Sequence, residues 1–82
     1  MMTKNKLKKI FSGVLGVPEE RIVSDLTPAN TPSWDSLNAI ILMTEIEGAF
    51  GLKFSFEEAM AVKSFSDALD LVQRKEANKE NE

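Results

Sequence analysis

The chemistry open to this chain is narrow, because its 82 residues contain neither cysteine nor histidine. Those absences remove thiolate nucleophiles, disulfides, the usual zinc ligands and the commonest general base. The nucleophile at a marked position is Ser36, in the run Trp34-Asp35-Ser36-Leu37. An apolar stretch of helical spacing follows it, so Ser36 stands at a helix start, where unpaired backbone N–H groups and the helix dipole favour an anion. A phosphate attached there is electrostatically tolerated and lies exposed. Taken alone, Asp35-Ser36-Leu37 reads first as a capping pair ahead of an apolar helix. Self-contained catalysis fits poorly. Ser36 has no histidine as base and no Gly-x-Ser-x-Gly elbow, and the nearest lysines in sequence lie in the N-terminal segment and at Lys53. A chemical role for Ser36 therefore requires another protein to act on it. No catalytic residue and no metal-ligand set is assigned, and no EF-hand loop is present.

Helices must position this serine. Thr3 to about Gly16 reads as a first helix, with Leu7, Ile10, Phe11, Val14 and Leu15 at three-four spacing and lysines on the other face. Gly16 and then Pro18 mark its end. Residues 17–35, with Pro18, Pro28 and Pro32, form a long connection. Val17, Ile22, Val23 and Leu26 are expected to pin it across the helices, with a short helical turn at Glu19–Val23. The second helix spans Ser36 to about Phe50, and Gly51 suits its stop. It is apolar on more than one stripe, which predicts a central helix touching several neighbours. Ser55-Phe56-Glu57-Glu58 has capping-box form and opens a short third helix. Ser64-Phe65-Ser66-Asp67 starts a fourth. The fold class is all-α: a four-helix bundle of three main helices plus one short one, with a long first loop. Residues 1–75 are expected to form the domain and the polar residues 76–82 a frayed or disordered tail.

Charge is placed unevenly. Residues 1–16 hold Lys4, Lys6, Lys8 and Lys9 and no acid, whereas residues 17–73 hold ten acids against Arg21, Lys53 and Lys63. An acidic body argues against nucleic acid or an anionic membrane and favours basic protein partners, although solubilising charge is the plainer reading. Met1–Lys9 is basic, but Ser12, Gly13 and Gly16 break the apolar stretch after it, so no secretory segment is read there. No apolar run reaches membrane-spanning length. A cytoplasmic monomer is expected.

Order and spacing then carry a resemblance. Asp35-Ser36-Leu37 opens the second helix after a long loop. Ile46-Glu47-Gly48-Ala49-Phe50-Gly51-Leu52 closes that helix, Phe54-Ser55-Phe56-Glu57-Glu58 opens the third, and Ser64-Phe65-Ser66-Asp67-Ala68 opens the last. Each motif is loose, but together, over residues 5–74, the sequence resembles the acyl carrier protein family, which includes peptidyl carrier domains. The resemblance implies a stand-alone carrier that is not itself an enzyme, with 4'-phosphopantetheine from coenzyme A attached to Ser36 by a phosphopantetheinyl transferase and Mg²⁺. It implies that Asp35 helps that transferase position its metal and the serine. It implies acyl intermediates held as thioesters in fatty-acid-like or specialised lipid or polyketide synthesis, with acyl-loading and acyl-processing enzymes as further partners. An aminoacyl or peptidyl carrier, or an unmodified helical interaction module, are the alternatives.

Several residues keep two readings. Leu37 is either a partly buried helix residue or an apolar contact for the transferase. Trp34 reads as a lid over one end of the bundle ahead of a contact for the arm. Met43 and Met60 read as core ahead of a cavity lining. A partner surface is expected at Asn38, Ile41, Glu45 and Glu47. Asn38, Ile41 and Gly48 stand where fatty-acid-synthesis carriers are often acidic, and an outward Ile41 marks a binding patch that changes which enzymes dock.

Overall fold

The structure, a computed structural model, describes residues 2–80. Among them are four helices and no strand: α1 (Met2–Leu15), α2 (Ser36–Phe50), α3 (Phe56–Met60) and α4 (Phe65–Glu80), with a 3₁₀ turn at Glu19–Arg21 in the first loop. α1 packs against both α2 and α4.

The α1 stripe behaves as its spacing predicts. Leu7, Phe11 and Leu15 are buried, and Ile10 and Val14 pack against the same cluster. Phe11 is the centre of the core. Its ring meets Trp34 at 5.3 Å and Phe65 at 5.0 Å, both edge to face, the arrangement favoured by the ring quadrupoles. Trp34 comes from the end of the loop and Phe65 from the start of α4, so one residue of α1 joins three segments distant in sequence.

Glycine ends α1 and α2. Gly16 and Gly51 take left-handed conformations, with φ 67° and 65°, where a side chain is strained. Gly16 N–H donates to the Ser12 carbonyl, and Gly51 and Leu52 N–H both donate to that of Glu47.

The long loop is pinned as expected at Ile22 and Leu26, both buried, and at half-buried Val17, but not at Val23, which is half exposed. Ile22 closes the 3₁₀ turn, its N–H donating to the Glu19 carbonyl at 3.0 Å. Asn30 organises the next turn, accepting from Thr27 N–H and Thr31 Oγ1 and donating to the Asp25 carbonyl. Phe65 N–H donates to the Leu26 carbonyl at 2.9 Å, tying loop to α4.

α4 runs to Glu80 without a break at residue 75. Gln73–Ala77 and the lysine and glutamate beyond are good helix formers, and Thr3 Oγ1 donates to Glu76 Oε1 at 3.1 Å. The polar segment expected to fray therefore continues the helix as far as residue 80, and residues 81 and 82 lie outside the described residues.

α2 departs from the central helix that its composition predicts. Only Leu42 and Ile46 are fully enclosed. Leu37, Ile40 and Ile41 are exposed, so the surplus apolar residues form an open face.

Candidate functional site

Asp35 is the N-cap of α2. Its backbone is extended (φ −106°, ψ −175°), its Oδ1 accepts from Asn38 N–H at 2.9 Å, and its carbonyl accepts from Ala39 N–H. Of the two capping candidates, Asp35 caps and Ser36 does not. Ser36 is the first helical residue, exposed, and its hydroxyl makes no hydrogen bond among the described residues. The N–H groups of Ser36 and Leu37 have no acceptor within the helix, as at any helix start. A phosphate on Ser36 Oγ therefore meets free donors and the positive end of the α2 dipole.

The ground beneath the serine is packed and hydrogen-bonded. Trp34, two residues back, is buried edge-on against Phe11, so its ring supports this end of α2 as a lid on the core. Asn38 Nδ2 donates to the Ser33 carbonyl at 2.7 Å, lacing the first turn of α2 to the loop before it.

Beside Ser36 lies an open cleft of about 540 Å³ between α2 and α3, lined by Ala39, Ile40, Met43, Phe54, Ala59 and Met60 among others. Met43 packs against the core as its helical spacing suggested and also lines the cleft, whereas Met60 is exposed on the cleft wall and is not core. α3 forms the far wall and is held by polar contacts. Ser55 and Glu58 make the complete capping box, and Lys75 Nζ of α4 meets Glu58 Oε1 at 2.8 Å. The hydrogen bond from Lys75 holds the Glu58 carboxyl below its usual value, helped by the Ser55 backbone. Glu47 Oε2 accepts from Phe54 N–H at 2.8 Å and fixes the segment that leads into α3.

The residues expected at a partner surface divide. Ile41 and Glu45 are exposed on α2, whereas Asn38 and Glu47 are half-buried and spend their side chains on Ser33 and Phe54. Leu37 is 66% exposed, so the partly buried alternative does not hold. Sequence reasoning passed over Ile40, at 65% exposure, and Phe56, at 80%. The signal for Ile40 was its place three residues after Leu37 and one before Ile41, on one helix face. Phe56 opens a helix of five residues, too short to offer a buried stripe.

Among the described residues no group of histidine, cysteine, aspartate or glutamate could hold a metal ion, and no helix is long and apolar enough to cross a membrane. Lys6 is engaged at the other end of α2, where Nζ donates to the Ala49 carbonyl at 2.8 Å and stands over the Phe50 ring.

A family profile described as phosphopantetheine attachment site matches residues 5–72. The chain is 33% identical over 72 residues to an acyl carrier protein of Thermosynechococcus vestitus, covering 88% of this chain and 89% of that one. It is 31% identical over 68 residues to an acyl carrier protein of Coprothermobacter proteolyticus, covering 83% of each. The fold superimposes on the solution structure of holo acyl carrier protein from Geobacter metallireducens with a TM-score of 0.86, at 28% identity, over 99% of this chain and 93% of that one.

Proposed function

The chain belongs to the phosphopantetheine-attachment family as an acyl carrier protein, and from that premise we propose that Ser36 bears its covalent 4'-phosphopantetheine. One observation carries the assignment to this serine: Asp35 does the capping, which leaves the Ser36 hydroxyl exposed and unbonded.

The residues present fit the group. Free N–H donors at the start of α2 accept a phosphodiester, the acid next to Ser36, Asp35, has Oδ1 turned to Asn38 N–H, and the adjacent cleft offers apolar walls. In the active site of a phosphopantetheinyl transferase, with Mg²⁺, Ser36 Oγ forms the new P–O bond to the pantetheinyl phosphate of coenzyme A. The nucleotide half leaves, and the serine proton passes to the transferase. Asp35 holds the helix start in place, and its exposed carboxylate faces the approaching enzyme and its metal. When attached, the arm supplies the thiol that a cysteine-free chain lacks and holds acyl groups as thioesters. Tethering raises the effective concentration of cargo at each client enzyme. The chain performs no catalysis itself.

The cargo is acyl, in fatty-acid-like or specialised lipid or polyketide synthesis. The apolar cleft beside Ser36 supports an apolar cargo over an amino acid. Acyl-loading and acyl-processing enzymes are the clients, and the working compartment is the cytoplasm, where coenzyme A meets the transferase.

Incubation with coenzyme A, Mg²⁺ and a broad-specificity transferase, followed by intact mass measurement, tests the assignment. One phosphopantetheine is gained by the wild type and none by Ser36→Ala. No gain by the wild type sinks the carrier reading, and a gain that survives Ser36→Ala moves the site elsewhere.

A further inference from the structure

α1 is the basic element of an acidic chain. It holds Lys4, Lys6, Lys8 and Lys9 and no acid. Lys4, Lys6 and Lys9 are exposed and Lys8 is half-buried. The ion pair found among the described residues joins Lys75 to Glu58. Lys4, Lys8 and Lys9 therefore have no ion-pair partner among the described residues, although residues 17–73 carry ten acids. Unpaired cations gathered on one helix set a positive field against the acidic remainder.

Lys6 is spent on structure, with Nζ donating to the Ala49 carbonyl and standing over the Phe50 ring. Beside it lies a hollow of about 410 Å³, lined by Thr3, Asn5, Lys6, Lys9, Phe50 and Glu76. Half-buried Phe50 gives the hollow an apolar wall. Glu76, the one acid of the lining, already accepts from Thr3 Oγ1 at 3.1 Å. Thr3 lies in the first turn of α1, at the positive end of its dipole. Phe50 closes α2 and Ser36 opens it, about 21 Å apart along the helix. An occupant of this hollow leaves the serine and the cleft beside it uncovered.

The chemistry narrows the occupant. Lys4 and Lys9 call for carboxylates, and the Phe50 ring for an apolar side chain. An anionic bilayer fits badly, because Leu7, Phe11 and Leu15, the apolar stripe of α1, are buried in the core and cannot enter lipid. The acidic body is also repelled by an extended anionic surface, whether bilayer or nucleic acid. A short acidic protein segment presents its charge locally and avoids the body. We infer that the hollow between the start of α1 and the end of α2 is a second interaction surface. It seats an acidic protein segment, with an apolar side chain on Phe50 and carboxylates on Lys4 and Lys9. A protein held there keeps the carrier in place while Ser36 stays open to other enzymes.

The test is an amide-resolved NMR titration of the full chain with a blocked peptide of glutamates flanking a single leucine. Binding is expected to be weak, with Kd about 1 mM, and its shifts to centre on Asn5, Lys6, Lys9 and Phe50 and to spare Ser36 and Leu37. Lys9→Glu is expected to weaken binding about fivefold, and Lys9→Gln, which keeps the length of the side chain, about twofold. Raising salt from roughly 50 mM to 300 mM is expected to weaken it at least about threefold. Shifts that fall equally on Lys53 and Lys63, or binding unchanged in both Lys9 variants, overturn the inference. Tighter binding to vesicles of equal parts phosphatidylcholine and phosphatidylserine also overturns it and gives the basic face to a membrane. A salt-sensitive dimer lost in Lys9→Glu overturns it in favour of a second copy. None of these results depends on Ser36, whose modification is read separately by intact mass and is expected at the wild-type rate in both Lys9 variants.

Discussion

The two ends of α2 are built on opposite plans. At the C-terminal end, polar groups are spent on structure. Gly51 and Leu52 close on the Glu47 carbonyl, Lys6 takes the Ala49 carbonyl and covers the Phe50 ring, and the Glu47 carboxylate accepts from Phe54 N–H. At the N-terminal end Asp35 and Asn38 do the structural work, while Ser36 keeps its hydroxyl and Leu37 and Ile40 stay in solvent. The difference shows how a small helical domain makes one residue available. The closed end and the core beneath anchor the helix, so the open end can present unsatisfied groups without losing its position.

The comparison can be broken most completely at the serine. Ser36→Ala abolishes phosphopantetheine gain, and because the hydroxyl has no internal partner, stability changes by less than about 0.5 kcal/mol in denaturant titration. A large loss of stability in that variant would show that the open end is structural after all. Next in size is the support below. Trp34→Ala removes a buried ring from the Phe11 cluster and costs about 3–5 kcal/mol in the same titration. A smaller loss would mean that the loop repacks and that Ser36 is not rigidly seated. Asp35→Ala removes the cap and costs about 1 kcal/mol. It also slows Ser36 modification, whereas a loss of stability with an unchanged rate would confine Asp35 to capping.

The smallest effect concerns the cleft wall. The folded-state carboxyl of Glu58 titrates below its ordinary value because of Lys75. Its contribution is therefore present above the unfolded value and lost as pH falls through the lowered folded one. Melting temperature in acid is expected to fall more for the wild type than for Glu58→Gln. The pair is solvent-accessible, so added salt shrinks the difference. Equal acid sensitivity in the two proteins would show that α3 does not depend on this pair.

Much of the fold was legible because its signals are local. Helix spacing, Gly16 and Gly51 as left-handed stops, and the Ser55–Glu58 capping box each act within a few residues, and α2 begins and ends where the sequence places it. The site was legible in part. Asp35-Ser36-Leu37 marked the place, but two adjacent capping types cannot reveal which one takes the Asn38 N–H. The partner surface was less legible still. Asn38 and Glu47 are polar residues on a helix, and nothing in their spacing tells that one is tied to Ser33 and the other to Phe54.

The sequence by itself determined four helices with a serine at the start of α2, because periodicity, caps and stops are written in neighbouring residues; that the serine bears a carrier's arm is what the resemblance of its motifs implied. The tertiary structure alone decided that this serine is free, that Val23 points outward, and that Leu37, Ile40 and Ile41 are left open beside a cleft. Burial depends on what other segments bring to a surface. α1, the loop and α4 together enclose Leu42 and Ile46 but leave the neighbouring face of the same helix uncovered.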